Sequence, residues 1–324
     1  MTDNMIAMIG SGSWATALVK ILLENRSHHL QWWMRDGEVR DSLATTGRNP
    51  RHLTDLQLDA SRFHVSTDLS SVVATSDTLV LAVPSVFLAN TLATLPATAL
   101  HGKHIVSAVK GYLPGYRKSV SEYLQEQLQV PADNICVVSG PSHAEEVAEG
   151  KATFLTVASS NRQLATNAAA MLGCGYIHAS VSDEVHTIEL CGLTKNVYAV
   201  AAGIADGLGY GDNLVAVLTT AAAHEIQGII PETALTFRLL SDLIVTCFSR
   251  HSRNRALGVA VAHGVSPGQY FRDTGMVAEG YYSADAMHFM SHPCPTPIAD
   301  AVYDILYRGA DPATCFSYLI DNVL

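Results

Sequence analysis

The chain has 324 residues, of which 48% are hydrophobic and only 15% are charged. This length accommodates two domains with substantial cores, and the composition excludes a disordered protein. The formal net charge of −10 argues against nucleic acid or an anionic membrane as a partner. No apolar run reaches the ~18 residues of a membrane span, so we expect no membrane insertion.

Targeting, cysteine and histidine patterns point to a cytoplasmic protein without a metal. Residues 1–5 carry no basic group ahead of the first apolar run, so we expect no signal peptide. The six cysteines are scattered without a C-x-x-C pair, which is typical of reduced thiols. His288 and His292 are four residues apart, but Pro293 follows and no acidic third ligand is evident.

A glycine-rich turn follows the first apolar run. Gly10, Gly12 and Ala15 match the G-x-G-x-x-G/A signature, placed between a predicted strand at residues 5–9 and a helix at residues 16–24. Gly10 permits the tight turn, and Gly12 lets backbone N–H groups approach a pyrophosphate at the positive end of the helix. The alternative is a turn that binds nothing, but the context favours a dinucleotide site.

Strands and helices alternate up to about residue 182, and helices alone follow. Further strands are predicted at residues 30–33, 63–66, 78–83, 104–108, 135–138, 154–158 and 176–179, with helices at 85–95, 116–128 and 162–172. The later helices are predicted at residues 185–205, 213–227, 253–262, 284–290 and 297–306. The fold class is therefore α/β. We expect an N-terminal Rossmann-like domain with a doubly wound parallel sheet (residues 1–182), then an all-helical domain (residues 183–324).

Polar and turn residues collect at the predicted carboxyl ends of the strands, where open α/β sheets bind ligands. Arg35 stands beside Asp36 after the second strand. An acid there binds the ribose hydroxyl of NAD, whereas an arginine accommodates the 2′-phosphate of NADP, so the cofactor preference stays open. Ser142 and Glu145 form a capping-box pattern, and the N–H groups near Gly140 and Ser142 are available to an anionic or hydroxylated ligand.

Lys195 is the charged residue of a stretch that otherwise reads as a buried helix, since residues 197–205 carry no charge at all. Burial disfavours the charged form of an amine, so a lysine in such a place can give and take a proton near neutral pH. The alternative is a side chain that extends to solvent along its four-carbon stem.

Two later segments complete the candidate site. Ser252, Arg253, Asn254 and Arg255 open a helix, and guanidinium groups with free backbone donors at a helix N-terminus can bind phosphate. The alternative is a solvated basic helix start. Upstream, Asp242 precedes an apolar run and can orient a buried lysine.

Taken together, these motifs resemble NAD(P)-dependent glycerol-3-phosphate dehydrogenase of the bacterial cytoplasmic type. The resemblance covers nearly the whole chain and rests on blocks in a fixed order, at residues 10–14, 83–85, 110–111, 139–150, 195–196, 202–213, 242–247, 252–255 and 279–281. It implies NAD(P) as cofactor and reversible hydride transfer between NAD(P)H and dihydroxyacetone phosphate, giving sn-glycerol 3-phosphate. It also implies a place in glycerophospholipid precursor supply.

The resemblance assigns roles to individual residues. It makes Lys195 the proton donor and acceptor, with Asp242 and Lys110 beside it. The substrate-binding positions that match are Lys110, Gly140, Ser142, Asp242, Ser252, Arg253 and Asn254. The cofactor-binding positions that match are Ser13, Trp14, Arg35, Lys110, Ala144, Arg253, Val277 and Glu279. Gly10 and Gly12 of the glycine-rich turn complete the predicted cofactor site. The expected partner is a small phosphorylated substrate, with a homodimer as one option for the assembly.

The sequence departs from the family pattern near the expected substrate pocket. Residues 219–222 lack the arginine of the family's Thr-Arg-Gly, and the segment between His224 and Asp242 is several residues short. Two alternatives remain: a 3-hydroxyacid dehydrogenase of similar architecture, which acts on carboxylates, and a catalytically weak dinucleotide-binding sensor.

Overall fold

A computed structural model describes residues 5–24, 29–230, 235–291 and 293–324. His292 and residues 231–234 of the shortened segment lie outside these ranges. The chain forms two compact units, one of Met1–Val109 with Val120–Val185 and one of Lys110–Ser119 with His186–Leu324. The segment Lys110–Ser119 thus groups with the helices, although it lies in sequence between two elements of the sheet unit.

The first unit contains an eight-stranded sheet in the order β3-β2-β1-β4-β5-β6-β7-β8 within the described residues. The strands are β1 Ile6–Ile9, β2 Leu30–Trp33, β3 Phe63–Ser66, β4 Thr78–Leu81, β5 His104–Ser107, β6 Ile135–Ser139, β7 Thr153–Ala158 and β8 Ile177–Ser182. All neighbours pair in parallel except β6 and β7, which are antiparallel. The predicted fold class is confirmed, with this one antiparallel pair as an addition.

Seven α-helices of the sheet unit lie between these strands in the described residues. They are α1 Ser13–Glu24, α2 Gly37–Thr46, α3 Leu69–Ala74, α4 Ser85–Leu92, α5 Val120–Leu128, α6 Ala144–Ala148 and α7 Arg162–Leu172. The sequence reading missed α2 and α3, because α2 buries only Val39 and Leu43 and therefore lacks a long apolar stripe. Aspartates mark both starts, since Asp36 and Asp68 accept hydrogen bonds from backbone N–H groups of the first turn.

The centre of the sheet is apolar on both faces. Every residue of β1 and β4 is buried, as is usual for parallel strands covered on two sides. Met8 of β1 lies in register with Trp32 of β2 and Val80 of β4, and all three belong to the hydrophobic core. This rigid centre fixes the position of the glycine turn that leaves β1.

The second unit is helical in its described part. Its helices are α8 Val185–Gly207, α9 Gly211–Ile229, α10 Phe237–Phe248, α11 Arg253–Ala262, α12 Pro267–Thr274, α13 Glu279–Phe289, α14 Pro297–Arg308 and α15 Pro312–Asn322. Helix α8 is buried from Leu190 to Ala205 and forms the core of the unit. No helix among the described residues is both long enough and apolar enough to cross a membrane.

Glycines bring α11 and α13 into backbone contact with α8. A Cβ atom on Gly203 would lie 2.0 Å from the carbonyl oxygen of Arg255, and one on Gly258 would lie 2.2 Å from that of Val200. A Cβ atom on Gly280 would lie 2.5 Å from the carbonyl oxygen of Asn196. Only glycine permits approaches this close, so these three positions set the distance between the helices that carry Lys195, Asn254 and Glu279.

Candidate active site

In the sheet unit, the turn between β1 and α1 has the geometry that a dinucleotide pyrophosphate needs. Gly10 has φ +122°, and a Cβ atom there would lie 2.8 Å from the carbonyl oxygen of Ala82, so the position requires glycine. A Cβ atom on Gly12 would meet nothing within 4 Å, which leaves the backbone open to a ligand. Helix α1 begins directly afterwards at Ser13 and Trp14, with no acidic residue in its first turn. The residues present therefore fit the cofactor.

Two residues that sequence reasoning missed hold this turn in place. The indole N–H of Trp32 donates to the carbonyl oxygen of Gly10 at 2.7 Å. Asn49 is buried, and its amide nitrogen donates to the carbonyl oxygen of Ser11 and to Thr16 Oγ1, both at 2.9 Å. A buried asparagine that satisfies backbone groups of a distant loop gives no local sequence signal.

The other predicted residues of this unit lie at the ends of β2 and β6. Arg35 is exposed after β2, with its guanidinium 5.8 Å from the ring centroid of Phe87. Gly140 follows β6 with φ +131°, and a Cβ atom there would lie 2.3 Å from the carbonyl oxygen of Phe154. Ala144 is the buried first residue of α6.

The capping-box prediction at Ser142 is wrong. The residue before α6 is His143, and it makes no side-chain capping bond, while the Ser142 hydroxyl donates to the carbonyl oxygen of Gly140 at 2.9 Å. The hydroxyl donates to the carbonyl oxygen two residues earlier, so it closes that turn instead of capping the helix.

In the helical unit, one carboxylate binds two lysines. Lys195 Nζ donates to Asp242 Oδ1 at 2.6 Å and to Thr246 Oγ1 at 3.1 Å. Lys110 Nζ donates to Asp242 Oδ2 at 3.3 Å. Lys195 and Asp242 are buried, with 6% and 2% of their surface exposed. Thr246 lies one helical turn after Asp242 on α10, a spacing that could have identified it from the sequence.

Two ammonium groups and one carboxylate leave this cluster with one net positive charge when all three are ionised. Burial lowers the pKa of Lys110 from 10.5 to about 8, although the Asp242 carboxylate acts in the opposite direction. Such a cluster can attract an anionic ligand and can stabilise negative charge that develops on an oxygen.

A chain of amide hydrogen bonds links the backbone of Lys110 and helix α8 to α11 and α13. Asn196 Nδ2 donates to the carbonyl oxygens of Gly192 at 2.9 Å and Lys110 at 3.1 Å, and its Oδ1 accepts from Asn254 Nδ2 at 2.8 Å. Asn254 Oδ1 accepts from the backbone N–H of Gly280 at 2.8 Å. One sequence signal was present for Asn196, namely that a polar residue stands in an apolar helix next to Lys195.

The remaining predicted residues surround the starts of α11 and α13. The hydroxyl of Ser252 accepts from the N–H of Arg255 as the N-cap of α11, and Arg253 is exposed at the first position of that helix. Val277 is half-buried before α13. Glu279 opens α13, with its Oε2 2.9 Å from where a Cβ atom on Gly111 would lie.

No group of three or more His, Cys, Asp or Glu side chains in the described ranges has a metal-binding arrangement. One of the two histidines considered above, His292, falls outside those ranges.

Comparison with known protein families shows which family this chain belongs to. The family description "NAD-dependent glycerol-3-phosphate dehydrogenase N-terminus" matches residues 5–165, and its C-terminal counterpart matches residues 184–317. The chain belongs to the NAD-dependent glycerol-3-phosphate dehydrogenase family. As a member of that family it is an NAD(P)-dependent oxidoreductase.

Individual relatives extend along the whole chain. Glycerol-3-phosphate dehydrogenase (NAD(P)+) 1 of Salinibacter ruber is 35% identical, over 95% of this chain and 93% of its own length. The protein of the same activity from Moorella thermoacetica is 34% identical, over 98% and 96%. The crystal structure of glycerol-3-phosphate dehydrogenase from Coxiella burnetii superposes with a TM-score of 0.89 at 28% identity, covering 99% of both chains.

Proposed function

We propose that this enzyme interconverts dihydroxyacetone phosphate and sn-glycerol 3-phosphate, with Lys195 as the general acid and base. The observation that carries the proposal is the pair of lysines on Asp242, because a buried cluster with one net positive charge suits a reaction that creates an alkoxide. We take residues 1–182 as the dinucleotide-binding domain and residues 183–324 as the substrate domain.

When bound, the nicotinamide cofactor supplies the hydride that reaches C2 of the ketone. The Lys195 ammonium gives its proton to the carbonyl oxygen as that oxygen gains negative charge, and the amine that remains takes a proton back before the next cycle. A correctly placed acid of this kind typically adds ~10²–10⁴-fold to the rate.

Asp242 and Thr246 act on the position of the ammonium group. Their oxygens accept two of the three Lys195 N–H donors, at 2.6 and 3.1 Å, so the third donor is available to the substrate. Lys110 contributes a second positive charge to the same carboxylate. Its ammonium balances Asp242, so Asp242 does not cancel the charge that Lys195 offers to the alkoxide.

The start of α11 is our candidate for the substrate phosphate. Arg253 presents an exposed guanidinium at the first helical position, and Asn254 is held in one orientation by Asn196 and Gly280. Binding energy at the phosphate fixes the reacting carbon without taking part in the chemistry. We also propose that Gly140 and Ser142 of the sheet unit bind substrate.

The absorbance of the reduced nicotinamide, followed with dihydroxyacetone phosphate as acceptor, tests this function. Rapid oxidation of NADH or NADPH is expected, and dihydroxyacetone without its phosphate should react far more slowly. Turnover of 3-hydroxyacids in place of the phosphorylated ketone would instead favour a 3-hydroxyacid dehydrogenase. Cofactor binding without any turnover would favour a catalytically weak dinucleotide-binding sensor.

A cytoplasmic location and a homodimer are also proposed. Cell fractionation would check the first and light scattering the second.

A further inference from the structure

Arg51 lies beside the residue that normally distinguishes the two nicotinamide cofactors. Its Nη1 lies 2.7 Å from Asp36 Oδ2 and its Nη2 lies 3.0 Å from Glu38 Oε2. Asp36 stands just past the end of β2, where an acidic side chain recognises the ribose hydroxyls of NAD.

The carboxylate of Asp36 is already engaged by the protein. Its Oδ1 accepts from the N–H groups of Glu38 at 2.9 Å and Val39 at 3.3 Å, which caps α2. With Oδ2 in an ion pair with Arg51, both oxygens of this carboxylate are engaged by the protein. A ribose hydroxyl that binds Asp36 would therefore share a carboxylate that already caps α2 and pairs with Arg51.

The backbone at Arg51 is held relative to the glycine turn. Asn49, which donates to Ser11 and Thr16, also accepts from the backbone N–H of Arg51 at 3.0 Å through its Oδ1. A single buried amide therefore connects the arginine to the loop that fits the pyrophosphate. Preorganisation of this kind reduces the entropy cost of ligand binding.

We propose that Arg51 sets the cofactor preference of this enzyme: it withdraws Asp36 from the ribose and, with Arg35, binds the 2′-phosphate of NADP(H). Arg35 is exposed and pairs with no carboxylate among the described residues. The Arg51 bond to Glu38 is exchangeable because the Glu38 side chain is 85% exposed to solvent. Guanidinium groups bind phosphate dianions through charge-assisted, bidentate hydrogen bonds. This inference rests on the NAD(P) dependence of the family and adds to it a preference for NADP(H) over NAD(H).

Calorimetric titration with adenosine 2′,5′-bisphosphate and with 5′-AMP tests the inference without any catalysis, because the two probes differ only in the 2′-phosphate. The wild-type protein should bind the bisphosphate about ten- to hundredfold more tightly than 5′-AMP. Arg51→Ala should remove most of that ratio. In the matched control Arg40→Ala, which removes an arginine of α2 paired with Asp41, the ratio should not change.

Asp36→Ala separates the two roles of the ion pair. It should keep or strengthen bisphosphate binding, since Arg51 loses a competing anion, while α2 loses its cap. Equal binding of both probes by the wild-type protein would overturn the inference, and so would an unchanged ratio in a folded Arg51→Ala protein. A clear bisphosphate preference without turnover of dihydroxyacetone phosphate would instead contradict the proposed function alone.

Discussion

Gly203 lies against Arg255 so closely that the two backbones touch, with 2.0 Å between the position of a Cβ atom and the carbonyl oxygen. This contact joins α8, which carries Lys195, to α11, which carries Arg253 and Asn254. The distance between the proposed acid and the proposed phosphate site therefore depends on residue 203 being a glycine, which has only a hydrogen atom where other residues carry Cβ.

Gly203→Ala should push α11 away from α8. We expect a loss of about 3 kcal/mol or more in the free energy of unfolding, measured with urea, together with a raised KM for dihydroxyacetone phosphate. Gly37→Ala is the matched control, because a Cβ atom there meets nothing within 4 Å. That variant should be unchanged or stabilised by up to ~1 kcal/mol. Equal stability of both variants would contradict the close contact.

Lys195→Met should remove the proton donor while keeping most of the side-chain volume. Since Lys110 still neutralises Asp242, the fold should survive, and kcat should fall by ~10²–10⁴-fold with cofactor affinity nearly unchanged. Thr246→Val removes only one acceptor from the ammonium group and should reduce kcat far less. Steady-state kinetics and a cofactor titration measure both effects. A Lys195→Met protein within tenfold of wild-type kcat would remove Lys195 from the chemistry.

Lys110 should give the reaction a pH dependence on the alkaline side. Because burial lowers its pKa from 10.5 to about 8, the side chain loses its positive charge as the pH rises through about 8, and KM for the anionic substrate should rise there. The unfolded chain binds this proton more tightly than the folded one, so the same group makes stability increase with pH between about 8 and 10.5. Lys110→Arg keeps the charge and should abolish the rise in KM. If the rise persists in that variant, it belongs to another group.

Asn196 should act as a positioning residue for both Lys110 and Asn254. Asn196→Asp retains an acceptor for Asn254 but can no longer donate to the carbonyl oxygen of Lys110. Asn254→Asp keeps its acceptor for Gly280 and loses the donor to Asn196. We expect the first variant to alter the pH profile near pH 8 and the second mainly to raise KM. A purely structural role would lower stability in both without separating these readouts.

Glu225 should stabilise the helical unit through hydrogen bonds to two other helices. Its carboxylate accepts from the Tyr198 hydroxyl at 3.0 Å and from the Ile298 N–H at 2.8 Å. Glu225→Ala leaves both donors buried without this acceptor and should cost about 1–3 kcal/mol of unfolding free energy each.

The charge on Glu225 opposes this stabilisation. Burial raises the pKa of Glu225 above 4.5, so the folded chain holds the proton more tightly and stability falls as the pH rises through that window. Glu225→Gln should therefore be more stable at neutral pH than Glu225→Ala and should flatten the pH dependence above 4.5. Urea unfolding at several pH values measures both, and identical curves for the two variants would contradict the role of these hydrogen bonds.

The sequence was informative where local rules govern the structure. The strand, glycine turn and helix around Gly10 follow from backbone conformation. Helix α11 begins at the predicted residue because Ser252 caps it, and it also ends at the predicted residue. The capping box predicted at Ser142 was wrong, because the Ser142 hydroxyl donates to the carbonyl oxygen of Gly140 in a tight turn instead.

Contacts between distant residues could not be predicted from residue pattern alone. Lys110 and Asp242 are 132 residues apart, and their place in one site came from the family resemblance. Asn49 and Asn196 act through the carbonyl oxygens of remote loops, which no spacing rule identifies. Nor does composition reveal that β7 runs antiparallel to β6.

The segment Lys110–Ser119 also imposes an order of events on synthesis. It leaves the ribosome before any helix of its own unit, so Lys110 exists long before the residues that hold it, Asn196 and Asp242. At ~5–20 residues per second, that interval lasts several seconds or more. A nascent chain that stops before α10 would contain the sheet and both lysines but not the shared carboxylate, so the charge balance of the lysine pair is reached only once α10 has been made.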